Sequence, residues 1–192
     1  MCPPNPSPSR ARFFSIVFGI YALLLNAAQP VTLEDLQNDP KLTPKSFAKH
    51  FADFAYRENS EVQDPEVFLI SKSGDCDDFA ILADMVLRPK GYETRLMAVR
   101  MPGLIAHVVC YVTPEKGYLD YNNRAYLVKI ERSGPSLRDV AGKVAKSFSA
   151  NWTSASEFTY VGNSMKRLVA TVVKTDAAPP ALQTVPVIKI DF

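Results

Sequence analysis

Apolar residues recur at two different spacings along this chain of 192 residues. In the first half they return every three or four positions, which is the repeat of one helix face. From Thr94 onward they gather in short runs rich in β-branched and aromatic residues, which indicate strands. We therefore predict an α+β fold in which N-terminal helices pack on an antiparallel β-sheet.

Two short helices are predicted near the start of the folded region. One begins within Thr32–Leu36, and the other begins at Thr43, which serves as N-cap with Pro44 at the first helical position. His50 is expected at the surface or as a cap of the second helix. The apolar side chains assigned to the core at helical spacing are Phe47, Phe51, Phe54 and Ala55.

The helix predicted from Cys76 to Leu87 has the clearest start signal. Asp75 precedes it, and Asp78 follows three residues later, as in a capping box with Asp in place of Glu. Cys76 lies one turn before Phe79 on the apolar stripe of this helix. Its thiol is therefore expected to face the interior from the first helical turn.

Strands are predicted where β-branched and aromatic residues concentrate. A turn over residues 113–117 joins the second strand to the third, and a further helix is expected from Ser136 to Phe148. The predicted strands are Thr94–Met101, Ala106–Val112, Tyr118–Asn122, Ala125–Ile130, Glu157–Val161 and Leu168–Val173.

The first 28 residues have the pattern of a signal peptide. Arg10 and Arg12 precede an uncharged apolar run from Phe13 to Leu25, and small residues follow it. The run is shorter than the roughly 20 residues of a membrane-spanning helix. We therefore expect cleavage after Ala27 or Ala28 and export to the periplasm or the medium, with no stable membrane insertion afterwards. An uncleaved N-terminal anchor is the alternative.

The mature chain divides into one domain, residues 29–175, and a proline-rich tail, residues 176–192. The tail contains Ala-Ala-Pro-Pro, a composition that disfavours both helix and central strand. Its last apolar stretch, Val187–Ile190, is long enough for an edge strand.

Composition excludes several classes of protein. Hydrophobic residues make up 47% of the chain and charged residues 22%, which argues against disorder. The formal net charge of +2 is too small for a nucleic-acid-binding surface, so no nucleic-acid partner is expected. Three cysteines cannot form a disulfide framework.

Cys76 is the candidate nucleophile. The unpaired amides and the dipole at a helix N-terminus stabilise a thiolate and lower the pKa of the thiol. Asp75, Asp77 and Asp78 oppose this effect if they lie close, so a nearby cation is needed. His107, which lies in an otherwise apolar strand, is the side chain that the sequence offers.

Asp120 is the carboxylate best placed to orient that imidazole. A hairpin closed near residues 113 and 114 would set His107 directly opposite Asp120 on one face of the sheet. A longer loop would keep both residues on that face and offset them by about four positions, or roughly 13 Å. A bulge at Gly117 would restore the pairing.

The chain order of Cys76, His107 and Asp120 resembles the transglutaminase-like cysteine peptidase superfamily, and in particular its exported bacterial members. The segments that carry the resemblance are Ser73-Gly74-Asp75-Cys76-Asp77-Asp78-Phe79-Ala80, Ala106-His107-Val108 and Tyr118-Leu119-Asp120. The resemblance covers residues 45–130. It implies a papain-like, transglutaminase-like core, with Cys76 as nucleophile, His107 as general base and acid, and Asp120 as the orienting residue.

The resemblance also implies an activity. The expected reaction is hydrolysis of a peptide or amide bond in a protein or peptide substrate, through a thioester on Cys76. The strand after His107 lacks the tryptophan and acidic residue common in transglutaminase cores, which disfavours cross-linking. No cofactor is expected; some relatives bind calcium near the site, where Asp77 or Asp78 could contribute, but no complete ligand set is legible.

Other interpretations remain open at this point. The chain could be an inactive binding module with the same fold, or an amine-accepting transferase. Cys76 could be a buried structural residue, form a disulfide with Cys110, or join His107 and Asp120 in a zinc site, although no close-spaced ligand pair is present. Three aromatic residues could line a peptide groove or belong to the core: Tyr121, Tyr126 and Trp152.

Overall fold

A computed structural model describes residues 31–123, 130–161 and 165–174 of the chain. The predicted signal peptide, the tail 176–192 and nearly all of the predicted strand 125–130 lie outside these ranges.

The described residues contain five α-helices and eight strands. The helices are α1 (Leu33–Asn38), α2 (Pro44–Lys49), α3 (Pro65–Ser71), α4 (Cys76–Leu87) and α5 (Leu137–Ser147). The strands are β1 (Ala55–Tyr56), β2 (Ser73–Gly74), β3 (Thr94–Arg100), β4 (His107–Val112), β5 (Gly117–Leu119), β6 (Glu131–Arg132), β7 (Ser154–Val161) and β8 (Met165–Val173). The longest helix, α4, has 12 residues. Nowhere in this part of the chain is a helix long and apolar enough to cross a bilayer.

The helices begin where their capping residues predict. Thr32 and Thr43 cap α1 and α2 through their side-chain oxygens, and Ser136 caps α5. The helix α3 was not predicted, although its start carries a readable signal, since Asp64 accepts hydrogen bonds from two backbone amides and Pro65 follows.

The second helix is shorter than its apolar spacing suggests. It ends at Lys49, and His50 is an exposed C-cap, as expected. Phe51 and Phe54 are buried beyond its end, but the prediction that Ala55 lies in the core is wrong, because Ala55 is exposed. The chain leaves the helix so that β1 can pair with β2, with Tyr56 opposite Gly74 in parallel register.

Six strands form one antiparallel sheet in the order β6-β5-β4-β3-β7-β8, which confirms the predicted sheet. The helices α1 to α4 cover one face in a first apolar cluster, and α5 covers the other face in a second. The third predicted strand is wrong beyond Leu119, because residues 121–123 form a 3-10 turn. The carboxylate of Asp120 accepts a hydrogen bond from the backbone amide of Asn122 at 2.9 Å and so stabilises the start of this turn.

Packed aromatic rings hold the short helices against α4. The ring of Phe51 lies 4.8 to 5.7 Å, centroid to centroid, from four other phenylalanine rings. Those rings belong to Phe47, Phe54, Phe68 and Phe79. Tyr121 extends the cluster, since its ring lies 5.4 Å from that of Phe79. The first turn of α4 is thereby fixed relative to the segment that follows β5.

Candidate active site

Cys76 is the first residue of α4, so its backbone amide has no partner within the helix. Asp75 is the N-cap, and with Asp78 it forms the predicted capping box. Glycine is required at position 74, just before the N-cap, because a Cβ there would lie 2.5 Å from Oδ2 of Asp78 and 2.6 Å from the ring of Phe68. The tight packing fixes the direction in which the chain enters the helix.

The sulfur of Cys76 accepts a hydrogen bond from β4. The backbone N–H of Val108 donates to Sγ at 3.4 Å, and Sγ lies 4.0 Å from the carbonyl oxygen of Ala106. The residue is 7% exposed. An N–H donor and the positive end of a helix dipole both favour the thiolate over the thiol.

His107 and Asp120 meet directly. Nε2 of His107 lies 2.9 Å from Oδ1 of Asp120, and both side chains are buried. Val112 pairs with Gly117 across a four-residue loop, so Asp120 lies two positions away from direct opposition to His107. The register therefore falls midway between the two expected from the sequence, and the even offset keeps both side chains on one face.

The imidazole links the acid to the sulfur. Since Nε2 faces Asp120, Nδ1 is the ring nitrogen left to interact with the Cys76 sulfur. Burial lowers the pKa of His107, but the Asp120 carboxylate and the Cys76 sulfur outweigh it and raise that pKa to about 10. The protonated imidazole is the state that this arrangement favours. Phe148, just after α5, packs edge-on against the same imidazole at 4.9 Å.

A cleft of about 330 Å³ opens at Cys76. Its apolar wall consists of three side chains that are about half exposed: Tyr56, Leu104 and Ile105. Its polar wall includes Glu58, Asp75, Asp77 and Arg100. Exposed apolar side chains beside a buried nucleophile are suited to contact with a peptide.

The phenol of Tyr56 lines this cleft. Tyr56 is the second residue of β1, whose partner β2 ends two residues before Cys76, and its ring lies 6.3 Å from that of Tyr121. Partial burial, followed by the charges of Cys76 and Asp75, raises the pKa of Tyr56 to about 12. Its phenol therefore keeps its proton at neutral pH and is a hydrogen-bond donor in the cleft.

Three carboxylates cluster beside Cys76. Asp75, Asp77 and Asp78 each place one oxygen within 4.8 Å of the others. Burial first, and then the neighbouring Asp77, raises the pKa of Asp75 to about 7. The crowding therefore disfavours the charged form of Asp75 at the start of α4.

The oxygens of this cluster are largely occupied by the chain itself. Asp78 accepts hydrogen bonds from the amides of Gln63 and Asp75 and from the Gln63 side chain, at 2.7 to 3.0 Å. Oδ2 of Asp77 lies 2.6 Å from Nζ of Lys166. Calcium takes six or more oxygen ligands, and this arrangement does not provide them.

The other described residues that the sequence singled out do not line the cleft. Cys110 is a free, fully buried thiol on the face of β4 that packs against α4, so it forms no disulfide with Cys76. Nε2 of His107 points at Asp120 instead of sharing a metal position with it. Tyr121 lies in the first core cluster and Trp152 in the second, while Tyr126 is outside the described residues.

Three features of the site were not predicted from the sequence. The hydrogen bond from the Val108 amide to the sulfur could have been inferred from the position of Val108 next to His107, once Cys76 was placed against the start of β4. Tyr56 and Lys166 carry no local signal, because each reaches the site through strand pairing with a distant segment.

Comparison with known proteins supports the fold. The family model for the transglutaminase-like superfamily matches residues 33–122. Among solved structures, calcium-bound LapG from Legionella pneumophila is similar, at 22% identity and a TM-score of 0.43, over 68% of this chain and 71% of LapG. The comparison with curated proteins gives no match. The family-model match therefore supports a transglutaminase-like core over residues 33–122 of this chain.

Proposed function

We propose that this chain is an exported cysteine hydrolase that cleaves a peptide or amide bond through Cys76, His107 and Asp120. The observation that carries the proposal is the direct contact of the His107 imidazole with the Asp120 carboxylate, next to a Cys76 sulfur that is hydrogen-bonded to the neighbouring amide of Val108 and lines an open cleft. The transglutaminase-like core over residues 33–122 supports the same reaction class.

In the acylation step, the Cys76 thiolate attacks the carbonyl carbon of the scissile bond. The amide of Cys76 donates to the developing oxyanion, because the first turn of α4 leaves it unpaired. The imidazolium of His107 then gives its Nδ1 proton to the leaving amine, and a thioester on Cys76 remains. Asp120 holds the ring through Nε2 during this transfer.

In the deacylation step, neutral His107 takes a proton from water as the water attacks the thioester. The acyl group leaves as a carboxylic acid, and the thiolate–imidazolium pair is restored. An amine in place of water would give transfer instead of hydrolysis, so the fate of the thioester must be measured.

The cleft also suggests the type of substrate. The half-exposed side chains of Tyr56, Leu104 and Ile105 offer an apolar surface beside the sulfur. We therefore propose an extended peptide segment with an apolar side chain next to the scissile bond. A nucleic-acid partner is not part of the proposal. Export through residues 1–28, to the periplasm or the medium, belongs to it and concerns residues outside the described ranges.

Peptide cleavage tests the proposal. The full chain is incubated with a peptide pool derived from a digested proteome, in the presence of a labelled primary amine, and new peptide ends are read by mass spectrometry. We expect cleavage with apolar residues enriched beside the cut and water as the acceptor. Amine incorporation at the same position would instead identify a transferase.

Matched variants define the control. Cys76→Ala and His107→Gln are expected to abolish cleavage, whereas Cys110→Ala, at a buried thiol outside the cleft, retains it. Peptides that bind the wild type and Cys76→Ala equally and remain intact would identify a binding module and refute the hydrolase.

A further inference from the structure

We propose that Lys166 is a positioning residue of this active site, a fixed cation that neutralises Asp77 and so keeps the Cys76 thiolate favourable. The inference rests on the proposed function, because it concerns the reactivity of the same cysteine. It adds a residue from the β7–β8 hairpin, which lies beyond residues 33–122 of the transglutaminase-like core.

The contact is short and shielded from water. Nζ of Lys166 lies 2.6 Å from Oδ2 of Asp77, and the two side chains are only 13% and 12% exposed. The pair of Lys72 with Asp53, by contrast, is 41% and 64% exposed. Exposed ion pairs contribute little, whereas removal of one partner of a shielded pair leaves a charge with few compensating contacts.

The hairpin aims Lys166 at the start of α4. Lys166 pairs with Tyr160 across the two strands, and Tyr160 lines a small cavity together with Asp78. Nζ of Lys166 also lies 5.8 Å from the ring centroid of buried Phe158. The neighbouring Arg167 pairs with Thr159, and strand alternation directs it to the opposite face.

The charge around Cys76 explains why a cation is needed there. Asp75, Asp77 and Glu58 line the same cleft as the sulfur, together with the cation Arg100, so a thiolate would add a further negative charge to a wall in which carboxyl groups outnumber cations. His107 compensates from the β4 side, and Lys166 compensates from the α4 side.

The test measures the alkylation rate of Cys76 by iodoacetamide across a range of pH, with Cys76→Ala as the blank for the other thiols. Lys166→Met is expected to lower the rate at neutral pH about tenfold and to move the profile to higher pH, because a one-unit rise in thiol pKa corresponds to a tenfold change in the thiolate-to-thiol ratio. The charged or titratable groups that face the sulfur are Tyr56, Glu58, Asp75, Asp77, Arg100 and His107.

Paired variants separate electrostatics from folding. Lys166→Arg is expected to retain the wild-type rate, and Asp77→Asn is expected to restore it in the Lys166→Met background, since no charge is then left uncompensated. Arg167→Met, which removes a cation from the other face of the same strand, should leave the rate unchanged. Circular dichroism of each variant confirms that the fold is intact.

Two results would overturn the inference. One is a folded Lys166→Met variant with the wild-type profile. The other is loss of wild-type reactivity upon chelation with EDTA, which would assign the neutralising role to a metal. A wild-type Cys76 no more reactive than free cysteine would refute the proposed hydrolase instead, so the two failures are distinguishable.

Discussion

The imidazole of His107 is protonated in the folded protein over most of the accessible pH range. Its pKa is raised from 6.5 to about 10, although burial alone acts in the opposite direction. A raised histidine pKa contributes stability that is fully present below about pH 6.5 and is lost as the pH rises through about 10. Asp120 is therefore a partner for stability as well as for orientation.

Asp120→Asn tests this role in the Cys76→Ala background, where no thiolate contributes. Without the carboxylate, burial dominates, so we expect the pKa of His107 to fall by two units or more, to about 6.5 or below. Nuclear magnetic resonance of the imidazole ring measures it. The loss in unfolding free energy should be largest below about pH 6.5 and should shrink as the pH rises through the pKa that His107 has in the Cys76→Ala protein. An unchanged pKa would show that Asp120 does not govern the imidazole.

At the scale of elements, the first turn of α4 is stabilised by a buried carboxylate. Asp78 is 3% exposed, and it connects the N-cap to the loop around Gln63 through several hydrogen bonds. The same loop contains Asn59, whose backbone N–H donates a hydrogen bond to the carboxylate of Asp75 at 3.0 Å. The orientation of Cys76 therefore depends on residues that touch neither the sulfur nor the imidazole.

Asp78→Ala should destabilise the protein by about 2 to 4 kcal/mol, because a buried backbone donor, a part-buried backbone donor and a side-chain amide lose a hydrogen-bond acceptor. Asp78→Asn, which keeps one acceptor oxygen, is expected to cost roughly half as much. Urea unfolding followed by circular dichroism measures both. Equal stability of the two variants and the wild type would show that these hydrogen bonds do not hold the first turn.

At the scale of the whole molecule, two independent sets of contacts bring together the side chains of Cys76, His107 and Asp120, which are distant in sequence. Aromatic packing around Phe51 fixes α4, and antiparallel pairing of β4 with β5 fixes His107 relative to Asp120. The two sets of contacts meet where the amide of Val108 donates a hydrogen bond to the sulfur of Cys76. A fault in either one would separate the sulfur from the ring.

Local signals in the sequence were enough to predict the α+β class, most helix starts and the antiparallel sheet. The capping residues Thr43, Asp75 and Ser136 act over a few positions, so their effect is legible without tertiary information. The identity of Cys76, His107 and Asp120 as candidates followed from their order and from the resemblance that they carry.

Features set by long-range pairing were not legible in the same way. The register of β4 with β5 depends on a left-handed residue, Lys116, in the connecting loop, which allows a four-residue turn that the sequence left undecided. The placement of Ala55 in β1 and of Lys166 beside Asp77 depends on partners more than 15 residues away. Tertiary pairing overrides local spacing at these positions.

The most direct test of the central claim is the pH dependence of Cys76 alkylation in the full chain, compared with His107→Gln and corrected with Cys76→Ala. An ordinary thiol reacts with a midpoint near its pKa of about 8.5. We predict that the wild type keeps a high rate well below that pH and that His107→Gln returns the midpoint to about 8.5 or above. A wild-type midpoint at or above about 8.5, unchanged by His107→Gln, would contradict the thiolate–imidazolium pair.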